Sequence, residues 1–142
     1  PNKLKQIEFD LGSNRFLLLH DEYKPQTPSK IKVFDFKTIF NFSIVNEESV
    51  LKIPTLADFD TVLNDANSAK PNKTVSRALW YVDNQTFFTS TTDGWVIHYD
   101  MKGKVLKKAL LHEATPINSL AFSKNFAVLA TAANNGSKIV DP

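Results

Sequence analysis

The sequence predicts an all-β protein, a meander of short antiparallel strands. Three observations carry this. No stretch sustains apolar residues at the i, i+3, i+4, i+7 spacing of a surface helix. Short segments rich in β-branched and aromatic residues recur along the chain instead. Between them stand Asp10-Leu11-Gly12-Ser13, Asp83-Asn84, Asp93-Gly94 and Asn134-Asn135-Gly136, residue types that supply the positive φ of tight hairpins.

In chain order, Leu4 to Phe9 and Arg15 to Leu19 read as a hairpin, followed by a strand over Ile31 to Phe34. Asp21 to Ser29 carries Pro25 and Pro28, cannot continue a central strand, and is expected as a surface insertion. Lys52-Ile53-Pro54 reads as a strand. Thr55 to Pro71 breaks the rhythm with Asp, Asn, Ser, Ala and Lys. It is expected as an insertion outside the core, with Asp58 able to cap a short helix that Asn64-Asp65 would end. Strands resume at Arg77 to Trp80, Thr86 to Thr89 and Trp95 to Tyr99. The last three are Ile117 to Phe122, Phe126 to Ala130 and Lys138 to Val140.

Composition narrows the function classes. The 142 residues, 42% hydrophobic, suffice for one domain with a sizeable core. Seventeen Lys+Arg against fifteen Asp+Glu leave +2, too little for a nucleic-acid grip held by net charge. The absence of Cys excludes a disulfide framework, a thiolate zinc site and a cysteine nucleophile. No apolar run approaches the roughly 20 residues that span a bilayer, and no secretory pattern opens the chain. The expectation is a soluble cytoplasmic protein without membrane contact.

Self-comparison aligns three units. Ile7-Glu8-Phe9, Arg15 to Leu18 and Ile31 to Asp35 form the first. Ala78-Leu79-Trp80, Thr86 to Thr89 and Val96 to Asp100 form the second. Leu120-Ala121-Phe122, Phe126 to Leu129 and Lys138 to Asp141 form the third. The closing Asp35, Asp100 and Asp141 lie 65 and 41 residues apart. The shorter interval fits the 40–45-residue period of a WD40 blade, and the longer fits if 55–71 is inserted. Phe34-Asp35, Tyr99-Asp100 and Val140-Asp141 resemble a weakened Trp-Asp signature. Asp93 stands where WD40 blades place a turn Asp, Asn134 takes that place in the third unit and Pro28 in the first. Leu111-His112 stands where Gly-His precedes a blade. The implied fold is a WD40-type β-propeller with blade units over about 4–54, 73–111 and 112–142. The wheel of this fold has seven blades as a rule, so this chain of about three is expected to be a part of a larger propeller.

The order of local features resembles the subunit i family of eukaryotic translation initiation factor 3. The residues that carry it are Ile7 to Leu11-Gly12, Phe34-Asp35, Lys52-Ile53-Pro54 and Ser76-Arg77-Ala78-Leu79-Trp80. They continue with Asp93-Gly94 to Tyr99-Asp100, Gly103-Lys104-Val105, His112-Glu113 and Ile117-Asn118. The likeness covers nearly all the chain outside 55–71. It departs at Asn134, which replaces the usual Asp, and at the Ala-rich stretch Ala130 to Ala133. The resemblance implies a non-enzymatic scaffold without cofactors that docks subunits b and g and supports preinitiation-complex assembly on the small ribosomal subunit. A WD40 scaffold of another assembly, such as a vesicle coat or ubiquitin-ligase adaptor, is the first alternative. A propeller hydrolase is the second.

The residues argue against the enzyme. His20, His98 and His112 are scattered with no H-x-x-x-H pair, and no G-x-S-x-G elbow or Gly-rich phosphate loop occurs. His112 beside Glu113 reads as a hydrogen-bonded corner residue rather than a base. Lys102, Lys104, Lys107 and Lys108, with Trp95 and Tyr99 nearby, suit RNA phosphates, but a solvated strand–turn rim accounts for them more simply. Four N-x-[ST] sequons reflect an Asn- and Thr-rich composition. Phe36, Phe40 and Phe42 fit either an exposed docking stripe or a fourth blade strand.

Overall fold

The computed structural model describes residues 3–21, 28–40, 54–61 and 75–142. Three antiparallel sheets follow one another along the chain. The first orders β1 (Lys3–Phe9), β2 (Arg15–Asp21), β3 (Lys30–Asp35) and β4 (Ala57–Asp60), with a short helix α1 (Phe36–Phe40) after β3. The middle sheet orders β5 (Val75–Trp80), β6 (Thr86–Thr91), β7 (Trp95–Asp100) and β8 (Val105–Leu110). The third has β9 (Ile117–Ser123), β10 (Val128–Ala133) and β11 (Gly136–Val140). Every strand pairs with its neighbours in sequence, so each sheet is a meander.

Aspartates close the turns. Asp10 is 4% exposed and its carboxylate accepts the backbone N–H groups of Asn14 and Arg15, at 2.8 and 3.2 Å. Asp83 does the same for Gln85 and Thr86 between β5 and β6. Asp35 accepts Lys37 N after β3, and Asp100 accepts Lys102 N and Lys104 N after β7. A short carboxylate reaches its own backbone two to five residues on, holding the chain in the turn. Asp35 and Asp100, which recur at strand ends, thus share a local turn-holding contact.

Side chains alternate across each sheet, and the alternation builds two cores. In one, Leu17, Leu19, Ile31, Val33 and Ala57 of the first sheet meet Ala78, Trp80, Phe87, Ile97 and Tyr99 of the middle sheet. In the other, Phe88 and Val96 on the opposite face meet Ile117 and Leu129, flanked by Leu79, Tyr81, Leu120, Phe122 and Val140. The middle sheet is thus covered on both faces. The consequence is visible in β6, where Phe87 to Thr91 are all buried although three of the five are hydroxyl residues.

The first strand of the middle sheet, β5, adjoins the first strands of the other two, β1 and β9. The β1–β5 seam is polar. The Gln6 amide donates to Ala78 O and accepts from Ala78 N, both at 2.9 Å, as a strand neighbour would. Trp80 Nε1 donates to Glu8 O at 3.1 Å and Lys5 Nζ to Val75 O at 2.7 Å. Two sheet edges thereby satisfy each other's backbone groups through side chains.

Several expectations are corrected. Part of the segment 55–71 is core: β4 pairs with β3, Ala57 is buried, and Phe59 stacks on Phe87 with centroids 5.7 Å apart. No helix forms at Asp58; it and Asp60 face outward and pair with Lys32 and Lys30 at 3.6 and 3.4 Å. Four polar-looking residues hid a period of two. The first unit therefore runs past residue 54, and residues 62–71 lie outside the described part, as do 22–27, Lys52, Ile53 and Phe42. Phe36 begins a helical turn rather than a fourth strand. Phe126 and Ala127 belong to a turn, with Phe126 80% exposed and Ala127 at φ 50°, so β10 starts at Val128. The third unit supplies three strands, not four.

Candidate functional site

His112 is the most buried ionisable side chain of the corners, 1% exposed in the connection from β8 to β9. Its Nδ1 lies 2.8 Å from Asn135 Oδ1 and its Nε2 lies 2.8 Å from Thr131 Oγ1. A neutral ring with hydrogen on Nδ1 donates to the amide oxygen and accepts the hydroxyl hydrogen, which satisfies both nitrogens. The ring ties the β8–β9 corner to the β10–β11 turn. The turn partner is Asn135 and not Asn134, whose Oδ1 accepts Asn118 Nδ2 at 3.0 Å instead. Counting back from the closing Asp141 misplaces the turn by one. Counting from the positive-φ glycines, Gly94 and Gly136, aligns Asp93 with Asn135.

Asp93 accepts the Thr91 hydroxyl at 2.6 Å, and the same hydroxyl accepts Trp95 N at 3.0 Å. Gly94 follows at φ 95°, and its carbonyl accepts Leu111 N and His112 N at 2.9 and 3.1 Å. A Cβ there would stand 1.6 Å from the His112 carbonyl oxygen, so only glycine fits. Of the other positions singled out, Tyr99 is fully buried between Phe59 and Phe87, while Asp141 is exposed after β11. Asp35 and Asp100 hold turns at other strand ends. These residues stabilise separate corners and do not converge on one pocket.

A second polar chain escaped the sequence reading. His98 Nε2 lies 2.7 Å from Thr86 Oγ1, which donates to Asp83 Oδ2 at 2.8 Å. Burial lowers the His98 pKa, Asp83 opposes this, and Lys107 adds to it. Burial by itself raises the Asp83 carboxyl, but hydrogen bonds from Gln85 and Thr86 outweigh it and hold it below the ordinary carboxylate range. Thr86 gives its hydrogen to a carboxylate, so this chain orders a turn and activates no nucleophile. The ring also stacks on Phe88, centroids 4.3 Å apart. Asp83-x-x-Thr86 is a readable turn motif; His98 enters only through the β6–β7 register, which no local pattern displays.

The basic run is dispersed. Lys102 and Lys104 extend from the Asp100 turn, Lys108 Nζ sits 5.5 Å from the centre of the Trp95 ring, and Lys107 Nζ donates to Pro142 O at 2.8 Å. Tyr99, being buried, offers no stacking platform for a base. Among the described residues no group of three or more His, Asp or Glu could hold a metal ion, and no helix is long and apolar enough to cross a membrane. A groove of about 280 Å³ lies between the middle and third sheets, lined among others by Phe88, Val96, His98, Lys107, Leu129 and Val140. No protein-family model matches this chain, and no curated protein matches it.

Proposed function

We propose that the chain is an arc of about three blades of a WD40-type propeller and that it works as a non-enzymatic scaffold. The observation that carries the reading is the stacking of consecutive meander sheets. Their first strands adjoin, and the middle one is buried on both faces. The apolar residues that the stack leaves exposed or half-exposed fit the same plan. Ile7, Phe9, Phe16 and Phe34 lie on the face of the first sheet turned from the middle one, and Ile139 lies on the far face of the third. Such faces are where further sheets stack in a repeat architecture. The His112–Thr131–Asn135 bonds and the Asp93 turn supply the kind of corner network that holds a blade without any chemistry.

The assembly served is read from the order of motifs: that of subunit i of eukaryotic translation initiation factor 3, with subunits b and g and the small ribosomal subunit as partners in the cytoplasm. Affinity capture of the tagged protein from its own cells, followed by mass spectrometry, tests this. Initiation factor subunits and small-subunit ribosomal proteins should dominate the capture. Coat or ubiquitin-ligase components in their place would contradict it.

A further inference from the structure

We propose that the turn between β10 and β11 is a self-modifying site: the backbone nitrogen of Gly136 attacks the side-chain amide of Asn135, with His112 assisting. Asn135 thereby loses ammonia and becomes an aspartate. The inference does not depend on which assembly the protein serves.

Sequence, space and a fixed donor meet at this turn. Asn135-Gly136 is the one Asn-Gly pair in the chain. The glycine has no Cβ to screen its own nitrogen from the neighbouring side chain. A Cβ built there would meet nothing within 4 Å, and Asn135 is exposed, so both room and water are at hand. Asn135 Oδ1 lies 2.8 Å from His112 Nδ1, whose hydrogen draws electron density from the amide carbon. The His112 ring is 1% exposed and held from its other nitrogen by Thr131, so the donor is in place before any reaction starts.

The Gly136 nitrogen gives up its hydrogen and bonds to Asn135 Cγ. The amide oxygen becomes an oxyanion facing the His112 Nδ1–H, a donor aimed where the charge develops. The oxyanion collapses, ammonia leaves with a proton, and a cyclic imide remains. Water then adds at the carbon that His112 still polarises, and the new C–N bond breaks. Gly136 regains its N–H, and residue 135 keeps a carboxylate. One water is consumed and one ammonium released. Opening at the backbone carbonyl would give isoaspartate instead; His112 faces the side-chain oxygen and steers the opening away from it.

Other turns in the chain lack one part or another. Asp93, the counterpart of Asn135 in the middle sheet, already carries the carboxylate, and its Gly94 is closed in. The Gly94 N–H donates to Thr91 O at 3.3 Å, and a Cβ there would stand 1.6 Å from the His112 carbonyl oxygen. Asn84 and Asn134 are followed by Gln85 and Asn135, and their amide oxygens accept Leu11 N and Asn118 Nδ2 rather than an imidazole hydrogen. The carboxylate formed at 135 stays in contact with water and accepts the His112 hydrogen in a charge-assisted bond, stronger than the neutral one it replaces. The corner therefore tightens as the protein ages.

The test incubates the full chain at neutral pH and follows its asparagines by peptide mapping and mass spectrometry. Isoaspartyl methyltransferase separates the two products, and a free peptide of residues 131–140 is the control. Asn135 should convert about tenfold or more faster than Asn84 and Asn134, a barrier difference of about 1.4 kcal/mol. The folded chain should give mainly aspartate and the peptide mainly isoaspartate. His112→Ala should slow the conversion about tenfold, less than the ~10²–10³ of a water-excluded oxyanion donor because this turn is wet, and should shift the product toward isoaspartate. A purely structural His112 would do the reverse, since loosening the turn frees Gly136 N to attack. Should that variant fold poorly, the product ratio of the unaltered chain against the peptide decides. Mainly isoaspartate from the folded chain, conversion of Asn84 or Asn134 as fast as Asn135, or an unslowed His112→Ala would overturn the proposal. Asn135→Asp, which makes the product directly, should melt at or above the parent; a lower melt would overturn the tightening of the corner.

Discussion

Gln6→Leu removes both hydrogen bonds that join β1 to β5 at Ala78. Ala78 is 1% exposed, so its N–H and C=O have no ready access to water once the amide is gone. A buried polar group left unpaired costs about 1–3 kcal/mol. With two such groups and partial relaxation of the seam, the loss comes to about 2–4 kcal/mol. At about 3 °C per kcal/mol for a chain of this length, the melting temperature should fall by roughly 6–12 °C. Gln6→Glu should be no milder: it keeps an acceptor for Ala78 N but sets a carboxylate oxygen against Ala78 O. Thermal melts followed by circular dichroism give the magnitude, and hydrogen exchange at the Ala78 amide locates it. A Gln6→Leu melt within about 1 °C of the parent, with Ala78 exchange unchanged, would refute the seam as a stabilising contact.

Gly94→Ala should cost about 3 kcal/mol or more, because strain at positive φ of about 1–3 kcal/mol adds to displacement of the His112 carbonyl. Gly136→Ala, with no atom within 4 Å of its Cβ position, should cost only the strain; equal losses in urea unfolding would contradict this. Phe59→Ala should lose about 2–3 kcal/mol, below the ~3–5 of a fully buried Phe because the ring is half-buried. A change under about 0.5 kcal/mol would instead return β4 to the surface. His98 has a folded-state pKa depressed by burial, so its contribution is present above the unfolded value of about 6.5 and is lost as pH falls through the folded-state value. Melts taken downward from about pH 7.5 should therefore lose stability below about pH 6.5 in the parent and less in His98→Gln, whereas identical slopes would remove His98 as the source. The depressed Asp83 carboxyl acts in a separate window, below about pH 4.

The strands were legible where local chemistry is unambiguous. Thr86 to Thr89 and Trp95 to Tyr99 are dense in β-formers and bounded by Asp83-Asn84 and Asp93-Gly94, so period and turns agree. β4 was not legible because its outward positions are Asp58 and Asp60, whose Lys partners sit some 28 residues earlier in the chain. Gln6 looked like any polar strand residue; its role depends on a backbone 72 positions away. His112 was marked by its place before a strand, while the turn residue of the third unit was read one position early, at Asn134, because β11 is a residue shorter than β7. Asp93 was marked as a turn residue and Asp100 as the close of a repeat unit; in the structure Asp93 accepts the Thr91 hydroxyl and Asp100 accepts the backbone of the turn after β7, contacts that are local in sequence. The groove could not be read at all, as it depends on a strand count that appears only when the sheets are assembled.

Native-state hydrogen exchange across the whole chain tests most directly the claim that three sheets stack in chain order with the middle one covered on both faces. Amides of β6 and β7 should exchange slowest, those of β2, β3 and β10 at intermediate rates, and those of β11 fastest among the strands. Exchange of β6 and β7 as fast as that of β11 would contradict the stack, and with it the reading of the chain as an arc of blades.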